Sequence, residues 1–463
     1  MIPDPVARDL AAAAWRREIA ATWHLALPIV ATQLAQVSIM TADVVMLGWL
    51  GPEALAAGAM GWNLVFIVTI FGYGVCMATA PMMAQAIGRG RGRVRDVRRS
   101  MRQGFWAAAI VTAAGCAVIA MTEPILLLLR QDPALVGPAA GYAGILAWGL
   151  LPSLWFMVLR QFLAVLERPR AALLVQVLAF VLNAVGNYAL IFGHFGMPEM
   201  GLDGAALASA VANWFSFLAL LGFVLADRRM RRYRLLGRFW RADWQRLGEL
   251  VRLGLPVSGV LLLEVTVFAA AVYVLGAIGT AQLAAHQIAV QCAAITFMVP
   301  FGLAQAATVR VGIAAGAGDR GGVRRAGWAA LALGLGFMAT MALALWLLRW
   351  PIASLFLDFG QPESRRVAQY AVEFLAVAAV FQVFDGAQAI AMGALRGLKD
   401  TRVPMLIAAL GYWALGFTAG CVAAFVFGMG GVGVWIGLAI GLAVVAVLAT
   451  ARFAARERLG LVR

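Results

Sequence analysis

Four acidic residues stand inside long apolar stretches of this chain, where a carboxylate is costly. They are Asp43, Glu264, Glu373 and Asp385. A charged side chain at the centre of a membrane span costs on the order of 3 kcal/mol on insertion scales. Such groups are therefore expected to face protein or water, and each is a candidate site for a proton or a metal cation.

The most extensive polar pattern surrounds Asp385. Gln382 precedes it by three residues and Gln388 follows it by three, so all three lie on one face of a helix. His286 and Gln287 open another apolar segment. We interpret the two glutamines beside Asp385, together with His286 and Gln287, as accessory polar groups. Because no Cys or His stands at ligand spacing from His286, that residue either titrates or packs, and does not bind a metal.

Polar side chains also stand in the first half of the chain. Gln36, a further accessory polar group, precedes Asp43 by two helical turns. Asn183 and Asn187 are one turn apart on one helix face. The asparagine amides could complete an ion or proton site with Asp43, or they could serve only to hydrogen-bond helices together. Arg160 is a cation within an apolar segment, and it requires a partner that the sequence does not identify.

Carboxyl groups within apolar segments can carry out two kinds of chemistry. Desolvation raises the pKa of a carboxyl group, so it can hold a proton and release it when wetted. It can also bind Na⁺ together with carbonyl and amide oxygens. Exchange of either ion drives transport if the ion and the substrate compete for binding to the protein. The alternative is that neighbouring hydrogen-bond donors pair with the acid, which then only stabilises helix packing. Glu373 lies near the outer end of its segment and could simply be solvated.

The elements that must position these groups are membrane-spanning helices. Of the 463 residues 63% are hydrophobic and 13% are charged, against about 25% charged in soluble proteins. We therefore predict an all-α integral membrane protein with twelve transmembrane helices. The predicted spans are roughly 23–47, 53–85, 102–122, 136–163, 170–193, 202–226, 247–276, 281–313, 323–348, 364–395, 403–427 and 431–455.

The distribution of positive charge predicts the orientation of the chain. The net charge is +15, and the basic residues cluster in short connections between apolar runs, which is typical of cytosolic loops. Both termini are therefore expected in the cytosol. No basic domain stands apart from the spans, so we expect the lipid bilayer and no nucleic acid as a partner.

The two halves of the chain resemble each other. At a shift of 228 residues Pro28 lies on Pro256 and Gly51 lies on Gly279. Six spans per half give both halves the same orientation, which predicts two six-helix lobes related by a pseudo-two-fold axis along the membrane normal. The predicted domains are an N-lobe, a cytosolic inter-lobe loop and a C-lobe, at residues 1–226, 227–246 and 247–463.

Sequence motifs of ATP hydrolysis and of membrane enzymes are absent. The chain has no GxxxxGK[ST] and no HExxH, and the glycine-rich pieces are turns between spans. We therefore expect neither ATP-driven transport nor enzyme activity, and no cofactor other than a coupling ion, Na⁺ or H⁺.

Several motifs resemble those of one transporter family. They are TADVVMLGWLGPEALAA, LNAVGNYALIFG, LAAHQIA and, most specific of all, FDGAQAIAMGALRGLKDTRVP. On these motifs the chain resembles the MATE (multidrug and toxic compound extrusion) transporters, most closely their bacterial NorM-type branch, over nearly its whole length. The resemblance implies a multi-pass exporter of the bacterial inner membrane. Such proteins expel amphipathic, often cationic, drugs in exchange for Na⁺ or H⁺.

The resemblance also implies roles for particular residues. The cation site of the NorM-type branch lies in the second lobe, and its acids match Glu264 and Asp385, where Na⁺ could bind. The first-lobe acid matches Asp43, with Asn183 and Asn187 as its polar partners. NorM-type proteins often carry a tyrosine four residues before the acid of the tenth span. This chain has a phenylalanine, at position 381, and that departure favours proton coupling while leaving Na⁺ open.

We therefore predict a secondary-active antiporter that exports small drug-like organic cations by alternating access. Its substrate is expected between the lobes, against apolar and aromatic walls. A complete cavity within one chain predicts that a monomer suffices. The alternatives are a lipid-linked precursor flippase of the same superfamily and a membrane scaffold or receptor that does not transport.

Overall fold

A computed structural model of the protein describes residues 5–90, 92–235, 237, 239–241, 243–357 and 362–462. Within these residues the chain folds into helices joined by short turns. The α-helices are α1 (Pro5–Leu50), α2 (Pro52–Met77), α3 (Thr79–Gly88), α4 (Arg93–Ile119), α5 (Thr122–Leu128), α6 (Pro133–Ala147), α7 (Leu150–Val165), α8 (Arg170–Phe192), α9 (Gly201–Ala226), α10 (Arg228–Arg231), α11 (Trp244–Ile278), α12 (Thr280–Ala317), α13 (Arg320–Phe356), α14 (Pro362–Gly397), α15 (Arg402–Ala409), α16 (Thr418–Cys421) and α17 (Gly430–Ala454). A 3₁₀ turn spans His194–Gly196, and two segments, Leu410–Phe417 and Val422–Val426, are π-helical.

Eleven helical segments in the described part of the chain are long and apolar enough to cross a membrane. A twelfth span results when α6 and α7, which are bent by 42° at their junction, are counted together. The helices α2 and α3 likewise make one span, Pro52–Gly88. The prediction of an all-α membrane protein with twelve transmembrane helices is therefore confirmed.

The bend between α6 and α7 has a local cause in the sequence. Pro152, in the first turn of α7, has no N–H, so the carbonyl group of Trp148 lacks the donor that a continuous helix would give it. The indole N–H of Trp214 on α9 donates to that carbonyl oxygen instead, at 3.1 Å. Because an unsatisfied carbonyl group is costly inside a membrane, this hydrogen bond stabilises the bent span.

The span that contains the π-helical segments packs closely against α17. A Cβ atom on Gly437 would lie 2.2 Å from the Cα atom of Gly420, and one on Gly416 would lie 2.8 Å from the Cα atom of Gly441. The glycines allow the two backbones to approach, as small residues do between helices in membranes. The π-helical turns, which often occur at functional sites, lie in this glycine-lined stretch.

The chain divides into two compact units. The first unit consists of residues 31–258, and the second unit consists of residues 1–30 and 259–463. The divisions fall two residues after Pro28 in α1 and two residues after Pro256 in α11, the prolines that match at the repeat shift. Each unit therefore includes the beginning of a helix whose remainder belongs to the other unit. The lobe boundaries given above stay a prediction.

Within the first unit, α8 and α9 approach closely. A Cβ atom on Gly204 of α9 would lie 2.5 Å from the carbonyl oxygen of Leu190 on α8, so the two helices are in near contact at this level. The beginning of α11 is fixed by an apolar cluster with α2, α3 and α4. The buried members of this cluster are Val75, Ala78, Met82, Ala107, Leu247, Leu250 and Leu253.

Within the second unit, α14 is the central helix and packs against α12, α13 and α17. Its contact with α12 is again made through a glycine, because a Cβ atom on Gly393 would lie 2.3 Å from the carbonyl oxygen of Ala304. Close packing on three sides holds the middle of α14 rigidly, and this is the part of the helix that carries Asp385.

The repeat is also visible in the backbone of the two halves. Glu167, after α7, has φ 57°, and Lys399, after α14, has φ 62°. Gly201 and Gly430, the first residues of α9 and α17, have φ 54° and 56°. Left-handed backbone is uncommon for residues other than glycine, so its recurrence at corresponding turns supports an internal repeat.

Candidate ion-coupling sites

The first candidate site, which we call the Asp43 cluster, consists of Asp43, Asn183, Asn187 and Ser209 in the first unit. Asp43 accepts two hydrogen bonds of 2.6 Å, one on Oδ1 from the Asn187 amide and one on Oδ2 from the Ser209 hydroxyl. The Asn183 amide donates to Ser209 Oγ at 3.0 Å. Both carboxylate oxygens therefore have donors, which stabilises the ionised form of Asp43 in an otherwise apolar setting.

Three helices bring the Asp43 cluster together. Asp43 lies on α1, the two asparagines lie one turn apart on α8, and Ser209 lies on α9. The close approach of α8 and α9 at Gly204 places Ser209 against the asparagine face. Asn187 Oδ1 is buried and has no hydrogen-bond partner among the described residues, so the cluster retains an acceptor for a proton donor or a cation.

The second candidate site, which we call the Asp385 cluster, consists of Glu264, Asp385, Gln388 and Tyr412 in the second unit. Asp385 is only 6% exposed. The Gln388 amide donates to Asp385 Oδ1 at 3.4 Å, and the Tyr412 hydroxyl donates to Gln388 Oε1 at 2.8 Å. The charge of Glu264 acts on both Asp385 and Tyr412, so the two acids form one electrostatic unit.

A small cavity adjoins this cluster. It has a volume of about 10 Å³, close to the space that one water molecule needs, and its lining includes Glu264 and Tyr412. The remaining lining residues are Val267, Phe268, Leu438, Gly441 and Leu442. A carboxyl group beside a cavity of this size, with apolar walls, can exchange a proton or a small cation with little room for bulk water.

Tyr412 supplies a hydroxyl group that the sequence of α14 lacks. Phe381 is buried and packs edge-on against Phe268 at 6.0 Å and Trp435 at 5.4 Å between ring centroids. Phe268 also lines the cavity beside Tyr412. The aromatic hydroxyl of this region therefore comes from the neighbouring π-helical segment and not from position 381.

Two further polar residues of the first unit find partners away from Asp43. The Gln36 amide donates to the Tyr73 hydroxyl at 2.7 Å, so Gln36 is engaged with α2. Arg160, which is buried in α7, donates to Gln33 Oε1 on α1 and to the Met157 thioether. Gln33 is thus the partner that Arg160 requires.

The accessory residues predicted in the second unit are dispersed. Gln382 is engaged with α12, because its Oε1 atom accepts a hydrogen bond of 3.0 Å from the Thr296 hydroxyl. The buried ring of His286 lies 5.5 Å from that of Trp435, whereas Gln287 is exposed. Of the accessory set, the structure brings only Gln388 into contact with Asp385.

Two members of the clusters were not predicted from the sequence. Ser209 stands in the run GAALASAVA, where no spacing marks it, and Tyr412 lies on another helix from Asp385. Among the described residues, no group of three or more His, Cys, Asp or Glu side chains is arranged to hold a metal ion. Both sites are therefore carboxyl groups supported by amides and hydroxyls.

Comparison with known proteins assigns this chain to a family. A model of the MatE family matches residues 28–189 and 256–422. The two matches begin 228 positions apart, which is the shift of the internal repeat. The chain belongs to the MatE family. The resemblance to MATE transporters is thereby confirmed.

Relatives of similar length support the assignment. A probable multidrug resistance protein NorM from Mesorhizobium japonicum is 49% identical over 447 residues, 96% of this chain and 95% of the relative. The multidrug resistance protein NorM of Burkholderia vietnamiensis is 39% identical over 433 residues, 93% of each chain.

Solved structures show the same fold. The Vibrio cholerae MATE transporter VcmN in the bent form matches with TM-score 0.84 and 19% identity, covering 97% of this chain and 100% of that one. The eukaryotic MATE transporter AtDTX14 matches with TM-score 0.84 and 20% identity, covering 96% and 99%. At these identities the likeness shows that the chain has the MATE fold.

Proposed function

We propose that this chain is a secondary-active multidrug efflux antiporter of the bacterial inner membrane. It exports amphipathic organic cations by alternating access in exchange for H⁺ or Na⁺. Family membership and the names of relatives such as that of Mesorhizobium japonicum support this function over an enzymatic one. The arginine-rich connections support cytosolic termini, and the presence of both halves in one chain supports a monomer.

The observation that carries the proposal is the Asp385 cluster. Two carboxyl groups whose charges interact in apolar surroundings bind a proton or a cation more readily than they remain doubly ionised, because like charges repel strongly at low polarity. Asp385 lies in the helix that packs against α12, α13 and α17, so a change in its charge acts on the packing of these helices. Binding and release of one ion would bias the two states of the transport cycle.

The Asp43 cluster has the complementary role in this proposal. Donors from Asn187 and Ser209 compensate the negative charge of Asp43 when no ion is bound. Protonation of this carboxyl group removes the charge that these donors compensate and weakens both hydrogen bonds, which favours a rearrangement of the contact of α1 with α8 and α9. Such a rearrangement would couple the first unit to release of the substrate.

Protons are the coupling ion that the geometry supports best. Na⁺ requires several oxygen ligands at once, commonly carbonyl and amide oxygens beside the carboxylate. Gln388 Oε1 already accepts a hydrogen bond from Tyr412, and Phe381 offers no oxygen. A proton needs only one carboxyl oxygen, so it can be exchanged while the Tyr412–Gln388 hydrogen bond stays intact.

The function is tested with purified protein in liposomes, where uptake of a fluorescent cation such as ethidium is followed under an imposed pH gradient or an imposed Na⁺ gradient. We expect the pH gradient to drive uptake. The Asp385→Asn variant should reduce uptake to the level of protein-free liposomes, because the amide cannot exchange a proton.

Glu373 provides a matched control on the same helix. It is exposed and lies outside both clusters, so Glu373→Gln should transport at the rate of the unsubstituted protein. Full transport by a correctly folded Asp385→Asn variant would contradict the coupling role. Uptake driven by Na⁺ alone would reassign the ion without changing the site.

The lipid-linked precursor flippase is not favoured as an alternative. The relatives at 39% to 49% identity bear the name of multidrug resistance proteins. The same liposomes give the comparison directly, since a flippase would translocate a labelled lipid and leave ethidium outside.

A further inference from the structure

A basic cavity lies in the first unit at the amino-terminal end of α4, away from both ion-coupling clusters. Its volume is about 430 Å³. Its lining combines five arginines with one acid, one amide and one aromatic residue: Arg95, Arg98, Arg99, Arg102, Gln103, Arg241, Asp243 and Trp244. None of these residues belongs to the Asp43 cluster or to the Asp385 cluster.

The connection between α9 and α11 folds against α4 and forms one wall of the cavity. The Trp106 indole donates to the Phe239 carbonyl oxygen at 3.0 Å and stacks on the Phe239 ring. Arg99 pairs with Asp243 at 2.6 Å, and Asp243 also accepts a hydrogen bond of 3.2 Å from the Arg246 backbone N–H at the start of α11. The cavity is therefore a built feature with fixed walls.

Asp243 does not neutralise the cavity. Burial tends to raise the pKa of Asp243, but the hydrogen bonds from Arg99 and from the Arg246 backbone, together with the charges of both arginines, outweigh it. This pKa is therefore lowered, and the carboxylate stays ionised. Its single negative charge is directed at Arg99. The lining therefore keeps an excess of positive charge, which favours an anionic ligand over a cationic drug.

Buried polar atoms provide a second, independent indication of a ligand. Among the described residues, Nε of Arg98 and Oε1 of Gln103 are buried and have no hydrogen-bond partner. Buried polar groups are nearly always hydrogen-bonded, so each of these atoms calls for a partner. A phosphate group supplies acceptors for the guanidinium group, and a hydroxyl group next to it supplies a donor for Gln103.

The surroundings of the cavity indicate where such a ligand comes from. Trp240 and Trp244 are 75% and 72% exposed beside it, and exposed tryptophans are typical of the membrane–water interface. Four of the five arginines precede the apolar part of α4, which favours a position of the cavity at the level of lipid headgroups. Basic pockets at this level bind acidic headgroups.

We propose that this cavity binds the headgroup of an anionic phospholipid from the arginine-rich side of the membrane. The phosphate group pairs with Arg95 and Arg98, and a glycerol hydroxyl, as in phosphatidylglycerol, donates to Gln103. The bound lipid holds the connection between the two halves against α4.

The test uses the full-length protein, purified in detergent and titrated with phosphatidylglycerol or phosphatidylcholine while bound lipid is counted by native mass spectrometry. The unsubstituted protein should retain phosphatidylglycerol selectively, and more weakly as salt is raised. Arg95→Gln with Arg98→Gln should weaken that binding about 30-fold, because two arginine contacts to an anionic surface are lost.

Arg320→Gln with Arg324→Gln is the matched control. It removes the same charge from an exposed part of α13 in the second unit and should leave the binding of phosphatidylglycerol unchanged. Equal loss in both double variants, or no loss in the first, would overturn the proposal. Binding of inorganic phosphate at millimolar concentration together with equal retention of phosphatidylglycerol and phosphatidylcholine would assign the site to soluble phosphate and overturn the lipid assignment. A gel-filtration profile like that of the unsubstituted protein shows that each variant is folded.

Discussion

The Asp43 carboxylate has hydrogen bonds on both oxygens, and the Ser209 hydroxyl provides the one at Oδ2. A hydrogen bond to a charged group contributes about 1.5–3 kcal/mol. Ser209 also accepts from Asn183, so the hydroxyl connects the carboxylate to both asparagines. A single side chain of two heavy atoms therefore determines whether the Asp43 cluster is complete.

Replacing Ser209 with alanine is expected to slow ethidium transport by about 10-fold or more, since about 1.5–3 kcal/mol of stabilisation at Asp43 is lost. Ser216→Ala is the control on the same helix, because the Ser216 hydroxyl bonds only to the Ala212 carbonyl oxygen at 2.8 Å in the described structure. Both variants are measured in liposomes under one pH gradient. Equal rates for the two would show that the Ser209 hydroxyl has no part in coupling.

At the scale of single residues, helix periodicity and family resemblance predicted part of each cluster. Asn183 and Asn187 are one turn apart; in the structure Asn187 donates to Asp43, and Asn183 donates to Ser209, which in turn donates to Asp43. Tyr412 could not be predicted, because its contact with Gln388 depends on how two helices pack and not on spacing within one. The roles of these residues in coupling stay predictions.

Among the helices, the glycine interface between α17 and the π-helical span is a close contact between two backbones. Gly437 and Gly420 approach so nearly that a methyl group on Gly437 would lie 2.2 Å from the backbone of the neighbouring helix. Backbone atoms cannot move aside as a flexible side chain can. Tyr412 lies in the same span, about two turns before Gly420, so its position depends on a glycine at position 437.

Gly437→Ala is expected to destabilise the protein by about 1–3 kcal/mol, because overpacking forces the two helices apart. The measurement is the temperature at which the detergent-solubilised protein loses its monodisperse gel-filtration peak. Gly336→Ala serves as control, because a Cβ atom there meets nothing within 4 Å and alanine is the better helix former. A Gly437→Ala variant as stable as Gly336→Ala would contradict the close packing.

The positions of the membrane spans were predicted well from the sequence, but the bends within them were not. The predicted span 136–163 corresponds to the bent pair α6 and α7, Pro133–Ala147 and Leu150–Val165. The length of an apolar segment determines whether it crosses the membrane. Its bend depends on Pro152 and on the donor that Trp214 brings from another helix, which hydropathy does not report.

The whole molecule is built from two units that each contain the beginning of a helix from the opposite half of the sequence. The beginning of α11 contributes Leu247, Leu250 and Leu253 to an apolar cluster of the first unit. A buried leucine contributes about 1.5–3 kcal/mol. A fragment that ends in the inter-lobe loop therefore lacks a substantial part of the core of the first unit.

Residues 1–237 expressed alone are expected to be degraded or aggregated, whereas residues 1–258, which include the three leucines, should yield more folded fragment. Co-expression of 1–237 with 238–463 should restore a stable complex, because all parts of both units are then present. Yield after gel filtration in detergent is the measurement. Equal yields of 1–237 and 1–258 would show that the beginning of α11 is dispensable.

The reciprocal helix beginnings also bear on how such a chain could arise by gene duplication. A single half-length ancestor could complete its own unit only with the helix beginning of a second copy, which makes it a domain-swapped dimer. Fusion of the two copies would turn that association into an intramolecular one, independent of protein concentration. Each half could then diverge independently of the other, as at the matched positions where the first half has Gln36 and the second half has Glu264.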